Sequence, residues 1–198
     1  MKSAPDSPDG FSEPEPYGED SVYKRVSSAA VGLTAFGLLV IFYPVQEIAS
    51  SAIADSIGEA TPLIDSLFVV LTIPSGLMLT VFVHENIHYA ASRLMGYDPE
   101  ISYLPPRVTN DYQFMRRRDS MISLISPFIL VNLAAGLIIW LESGSLVSLT
   151  AMVCFVVNTS SSGSDIFGFF SLLRRPKGTV VKTVVQEGAR ESFVFEPK

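Results

Sequence analysis

The sequence predicts an all-α integral membrane protein: four transmembrane helices, a disordered acidic N-terminal tail and a short cytoplasmic C-terminal β-hairpin. Three observations carry that reading. The chain is 48% hydrophobic and only 17% charged, where about a quarter charged is usual for a soluble globule. Its charges are clustered, leaving residues 26–46, 66–83 and 120–141 with none and 143–173 with Asp165 alone. Each run reaches the ~18 apolar residues of a transmembrane candidate. The basic residues fall on alternate connections. Lys24 and Arg25 precede the first run, Arg93, Arg107, Arg116, Arg117 and Arg118 lie between the second and third, and Arg174, Arg175 and Lys177 follow the fourth. Residues 47–65 and 142–145 contain no lysine or arginine. The positive-inside rule then makes this a multi-pass cell-membrane protein with both termini cytoplasmic.

The elements follow in order, with 198 residues suiting a single domain. Residues 1–23 hold six acids and four prolines with little to build a core, so they are expected to be a disordered tail. They lack the basic start and apolar core of a signal peptide. A four-span domain over 24–176 comes next. Its first span, 26–45, carries Gly32, Ala35 and Gly37, which permit close helix packing. Residues 46–65 are weakly amphipathic and suit the outer interface. The second span, 66–95, contains Pro74, a kink site, and is expected to stop at Gly96. The following loop is expected to be extended, because Pro105 and Pro106 break a helix.

The third span, 120–141, contains Pro127 and Asn132. The fourth, 146–173, is too long to be straight: residues 143–173 as one helix would measure roughly 46 Å against a ~30 Å hydrocarbon core. The polar run "NTSSSGSD" within it marks a bend or unwound turn. In the tail, 177–198, β-branched and polar residues alternate around Glu187 and Gly188, the pattern of a hairpin.

Chemistry concentrates in "VFVHENIHYAASRLMG", which contains both histidines of the chain. His84 and His88 are four residues apart, so a helix stacks them on one face within reach of a single metal ion. Glu85 is rotated away from the pair, where it holds water instead of ligating. Zinc bound by such a pair brings the pKa of its water to about 7. Glu85 would take the proton and pass it to the leaving amine. A membrane setting sharpens this reading, since a buried carboxylate costs about 2.5–3.5 kcal/mol at mid-span and is functional by default.

A catalytic zinc needs three protein ligands. With no further histidine, the third is a carboxylate or Cys154. Asp165 is favoured by depth. His84 lies nine residues inside Arg93 and Asp165 nine inside Arg174, both about 13 Å deep if the arginines mark the interface. Cys154 would lie ~30 Å from Arg174, too deep to join them. Asn158, seven residues before Asp165, reads in two ways: a catalytic donor to substrate or oxyanion, or an interhelical polar contact.

Three segments together, "HENIHYAASRLMG", "FMRRRDSMISLISPFI" and "NTSSSGSDIFGFFSLLRRP", resemble a bacterial and archaeal membrane family described as putative zincin peptidases. That family is distantly similar to site-2 proteases, the intramembrane zinc metalloproteases. The likeness extends over about residues 65–195. It implies zinc as cofactor, His84, His88 and Asp165 as ligands, and Glu85 as the base. Site-2 proteases usually follow their distal aspartate with glycine, whereas Ile166 follows Asp165 here.

The function expected is therefore a membrane-embedded zinc metallopeptidase cutting peptide bonds near the cytoplasmic face. The alternative is a non-catalytic membrane protein that binds metal or recognises client spans; Glu85 argues against it, since a scaffold has no use for a base. A transporter is weakened by four spans without a repeat. The partners expected are membrane lipid and a membrane-protein or peptide substrate, with no nucleic acid; oligomeric state is left open.

Overall fold

The computed structural model describes residues 5–17, 62–141, 146–186 and 189–198, with Ala29, Leu33 and Gly37 as isolated helical positions. The expected first span, 26–45, lies otherwise outside the described residues, as does most of the 46–65 segment. Four helices are described: α1 (Pro62–Leu94), α2 (Arg117–Leu141), α3 (Leu146–Ser161) and α4 (Gly163–Leu173). Six strands accompany them: β1 (Glu15–Tyr17), β2 (Glu100–Tyr103), β3 (Pro106–Thr109), β4 (Phe114–Arg116), β5 (Val180–Gln186) and β6 (Ala189–Phe195). The chain divides into one compact unit of residues 28–84 and 127–163 and another of 1–27, 85–126 and 164–198. The division falls within α1, after His84, and within α2, after Ser126.

The first unit is built from helix. α3 presents Leu149, Val153 and Val157 as one buried stripe at spacing four, packed against Leu77, Met152 and Val156. Gly76 is required at this seam. A Cβ there would stand 2.7 Å from Val153 Cγ1, closer than real carbon contacts. The exposed faces are apolar: Met78 and Phe82 on α1 and Leu133, Leu137 and Trp140 on α2. α2 is the one helix among the described residues long and apolar enough to cross a membrane. α1 runs unbroken through Pro74, and α3 and α4 are shorter apolar helices.

The second unit mixes sheet and helix. A four-stranded antiparallel sheet has the order β1-β6-β5-β4, and β2 pairs with β3 in a separate hairpin. The C-terminal hairpin expected from alternation is present, with Gln186 opposite Ala189 across the two-residue connection. Leu172, Val181 and Val194 form a buried cluster with Tyr17, Met121 and Leu124 around it. The Arg117 side chain donates to the Leu172 and Leu173 carbonyls at 2.7 and 2.9 Å, capping the end of α4. α1 ends in a Schellman turn: Gly96 has φ +90°, and the Tyr97 N–H reaches the Ser92 carbonyl at 3.1 Å.

The N-terminal stretch requires a correction. Residues 1–23 were expected to be disordered, yet within them β1 pairs Glu15–Tyr17 with β6, and Tyr17 donates to the Gly168 carbonyl at 2.8 Å. Composition misjudged it because Phe11 and Tyr17 supply apolar contact, and Arg175 holds Glu15 at 2.5 Å and Glu196 at 2.8 Å. Hydrogen bonds to Glu196 and then Glu15 raise the Arg175 pKa further above its usual value.

Candidate metal centre

His84 sits in the helical unit and is buried. Its Nδ1 lies 2.9 Å from Asn158 Oδ1. An amide oxygen only accepts, so Nδ1 carries the proton and donates, and Nε2 is the atom that would ligate an ion. Asn158 is completely buried, and its Nδ2 donates to the Pro127 carbonyl at 3.3 Å and to Asn132 Oδ1 at 3.0 Å. Asn132 in turn donates to Thr159 Oγ1 at 3.0 Å. This chain fixes which way the Asn158 amide faces, and with it the His84 tautomer. Both Asn158 amide protons have acceptors in this arrangement, and its oxygen faces His84.

His88 belongs to the second unit and is held by a different device. Pro127 has no N–H, so in α2 the Ser123 carbonyl, four residues earlier, loses its helical donor. His88 Nδ1 stands 2.9 Å from that carbonyl and supplies the missing proton. Again Nδ1 is the donor, so Nε2 is the atom that would ligate an ion. Ser92 Oγ, 3.3 Å from Ser123 Oγ and accepting from Asn110 at 3.3 Å, closes the side of this arrangement.

Asp165 enters through the helix break. Ser160 donates back to the Val156 carbonyl at 2.8 Å and Ser161 to the Asn158 carbonyl at 3.3 Å, side-chain bonds that compete with the helical ladder. α3 ends at Ser161, Ser162 forms the turn, and Asp165 lies in the first turn of α4. The expected interruption in "NTSSSGSD" is thus present. Asp165 Oδ2 lies 3.5 Å from His88 Nε2.

Along the continuous helix α1, His84 is one turn from His88. One ligand atom from each of His84, His88 and Asp165 lies within 4.8 Å of the other two. Zinc bonds of about 2.0–2.2 Å at tetrahedral angles separate ligand atoms by roughly 3.3–3.6 Å, so the 3.5 Å His88–Asp165 separation fits a shared ion. Glu85, buried beside His84, is turned about 100° around the helix from it. Cys154 is not part of the group. Its Sγ is 3.7 Å from the Gly76 carbonyl, eight residues before His84 and so about 12 Å along α1.

The Ser123 carbonyl and Asn132 escaped the sequence reading. A signal for the first was present, since a proline inside a helix always strips the carbonyl four residues before it. Asn132 carried no comparable mark.

A family model described as "putative zincin peptidase" matches residues 77–180, which include every residue of the group above. No curated protein and no solved structure matches the chain. With more than half its length matched, the chain belongs to the putative zincin peptidase family, and this classes it as a zinc metallopeptidase.

Proposed function

We propose that the protein is a membrane-embedded zinc metallopeptidase that hydrolyses peptide bonds near the cytoplasmic membrane face, with His84, His88 and Asp165 as its ligands. The observation that carries the proposal is the hydrogen bond each histidine makes through Nδ1. Each donates from Nδ1 to an acceptor on another segment, Asn158 Oδ1 or the Ser123 carbonyl, so that Nε2 is the atom each would offer to a metal. Histidines placed only for packing have no reason to share that arrangement beside a carboxylate.

When bound, zinc supplies a water with a pKa near 7 and polarises the scissile carbonyl. The protein's own groups do the rest. Asn158 and the Ser123 carbonyl hold the imidazoles in place. Asp165 adds a negative charge that offsets the ion's. Glu85 takes up a proton on its carboxylate and returns it to the departing amine. In this reading Asn158 is a positioning residue for His84.

Membrane embedding is supported by α2 and by the exposed apolar side chains, since Met78, Leu133 and Trp140 are each about 70% exposed or more. Large apolar side chains exposed to this degree are unfavourable against water and suit lipid. The four-span topology, with both termini cytoplasmic, rests on the distribution of lysine and arginine. Elemental analysis of the detergent-purified protein tests the centre. We expect close to one zinc per chain, lost in both His84→Ala and Asp165→Ala. Zinc retained in full by Asp165→Ala would remove Asp165 from the ligand set.

A further inference from the structure

Within the sheet-containing unit, a groove of about 750 Å³ lies between the start of α2, the face of α4 and the loop leading to β5. One end is cationic: Arg116, Arg118 and Lys177 line it and all three are exposed. The other end is apolar, walled by Met121 and Ile125 from α2 and Phe169 and Leu173 from α4. The positions repeat at spacing four on each helix, so the walls are continuous strips. No aspartate or glutamate lines the groove, although the chain carries a net charge of −6.

The geometry points to a binding site for an anionic phospholipid, its phosphate among Arg116, Arg118 and Lys177 and an acyl chain along the apolar walls. The charge is matched to that ligand, and so is the gradient. Between Arg118 and Ile125 the lining changes from cationic to apolar over about 10 Å of helix axis. That is the order in which headgroup and hydrocarbon succeed one another in a bilayer leaflet. Arg118 stands in the first turn of α2, the helix long and apolar enough to span, Arg116 just before it at the end of β4, and Lys177 in the loop after α4. Basic groups at such a boundary attract acidic lipid. Arg117 is not counted among the headgroup contacts, because its side chain caps α4. The inference rests on the membrane placement proposed above and is independent of the metal.

Reconstitution into phosphatidylcholine vesicles with spin-labelled phosphatidylglycerol or spin-labelled phosphatidylcholine tests it, reading the motionally restricted fraction of each label. The protein is expected to retain the anionic label at least tenfold over the neutral one. The R116Q/R118Q/K177Q variant should bring that ratio close to one, each cation near the surface contributing roughly fivefold. R116K/R118K, which keeps the charges, should preserve it and serves as the folding control. Ile125→Trp, filling the apolar end, should release the label with every cation in place. A ratio unaltered by the charge removal overturns the inference. So does a ratio that Ile125→Trp leaves untouched, which would mean diffuse surface attraction. Displacement by excess inorganic phosphate would assign a free-anion site, and binding of an acidic peptide with neither lipid retained would assign a peptide groove; each overturns it. A protein that never enters the vesicles fails at the membrane reading itself.

Discussion

The hydrogen bond from His88 Nδ1 to the Ser123 carbonyl, 2.9 Å long, exists because Pro127 leaves that carbonyl without its helical donor. Pro127→Ala would restore an N–H in competition with His88. We expect the variant to hold α2 at least as stably while weakening zinc binding about tenfold, the scale typical of losing an outer-shell partner. Chelator competition measures the affinity and thermal melting the stability. Equal zinc affinity in variant and wild type would show that the Ser123 carbonyl does not orient His88.

Asn158 separates two chemical roles. Asn158→Ala removes the acceptor of His84 and the donor to Asn132, at a cost of about 1–3 kcal/mol in stability. Zinc affinity should drop about tenfold or more. Asn158→Asp retains an acceptor for His84 and should bind zinc more tightly than the alanine variant. If Asn158→Ala instead binds zinc normally and loses only turnover, the residue is the oxyanion donor that the sequence also allowed.

Glu85→Gln preserves shape and removes the base. Zinc content should stay at the wild-type level while peptide hydrolysis falls by roughly 10²–10⁴-fold. Cleavage at the wild-type rate would exclude Glu85 as the base and bring back the non-catalytic reading.

Gly76 tests the helical seam. With Val153 Cγ1 only 2.7 Å from the place of a Cβ, Gly76→Ala should cost about 1–3 kcal/mol. The double variant with Val153→Ala should recover much of it. A single variant as stable as wild type would mean that α1 and α3 separate there without penalty.

The Arg175 bridge holds the N-terminal strand. Arg175→Gln should increase hydrogen exchange in residues 12–17 while costing no more than about 1 kcal/mol overall, because Glu15 is largely exposed. Unchanged exchange would assign the docking of β1 to its ladder and to Tyr17 alone.

Much of the centre could be read from the chain. His84, Glu85 and His88 are legible because helical periodicity alone decides that residues four apart share a face. Asp165 is legible because it is the single charge in an apolar stretch of some thirty residues. The stop at Gly96, the break at Ser162 and the C-terminal hairpin were legible for the same local reasons: a left-handed glycine, serines competing for carbonyls, and alternation of period two.

What the tertiary structure alone decided is which acceptor each group meets. Nothing local distinguishes Asn158 as a donor to substrate from Asn158 as the partner of His84, because its neighbours come from a different helix. The acidic N-terminal stretch was misread on the same ground: its composition is that of a solvated tail, and only pairing with β6 more than 170 residues away in sequence makes it a strand. Sequence by itself singled out the candidate ligands, whose spacing and charge are local properties. The fold determined their orientation, which depends on hydrogen bonds between distant segments.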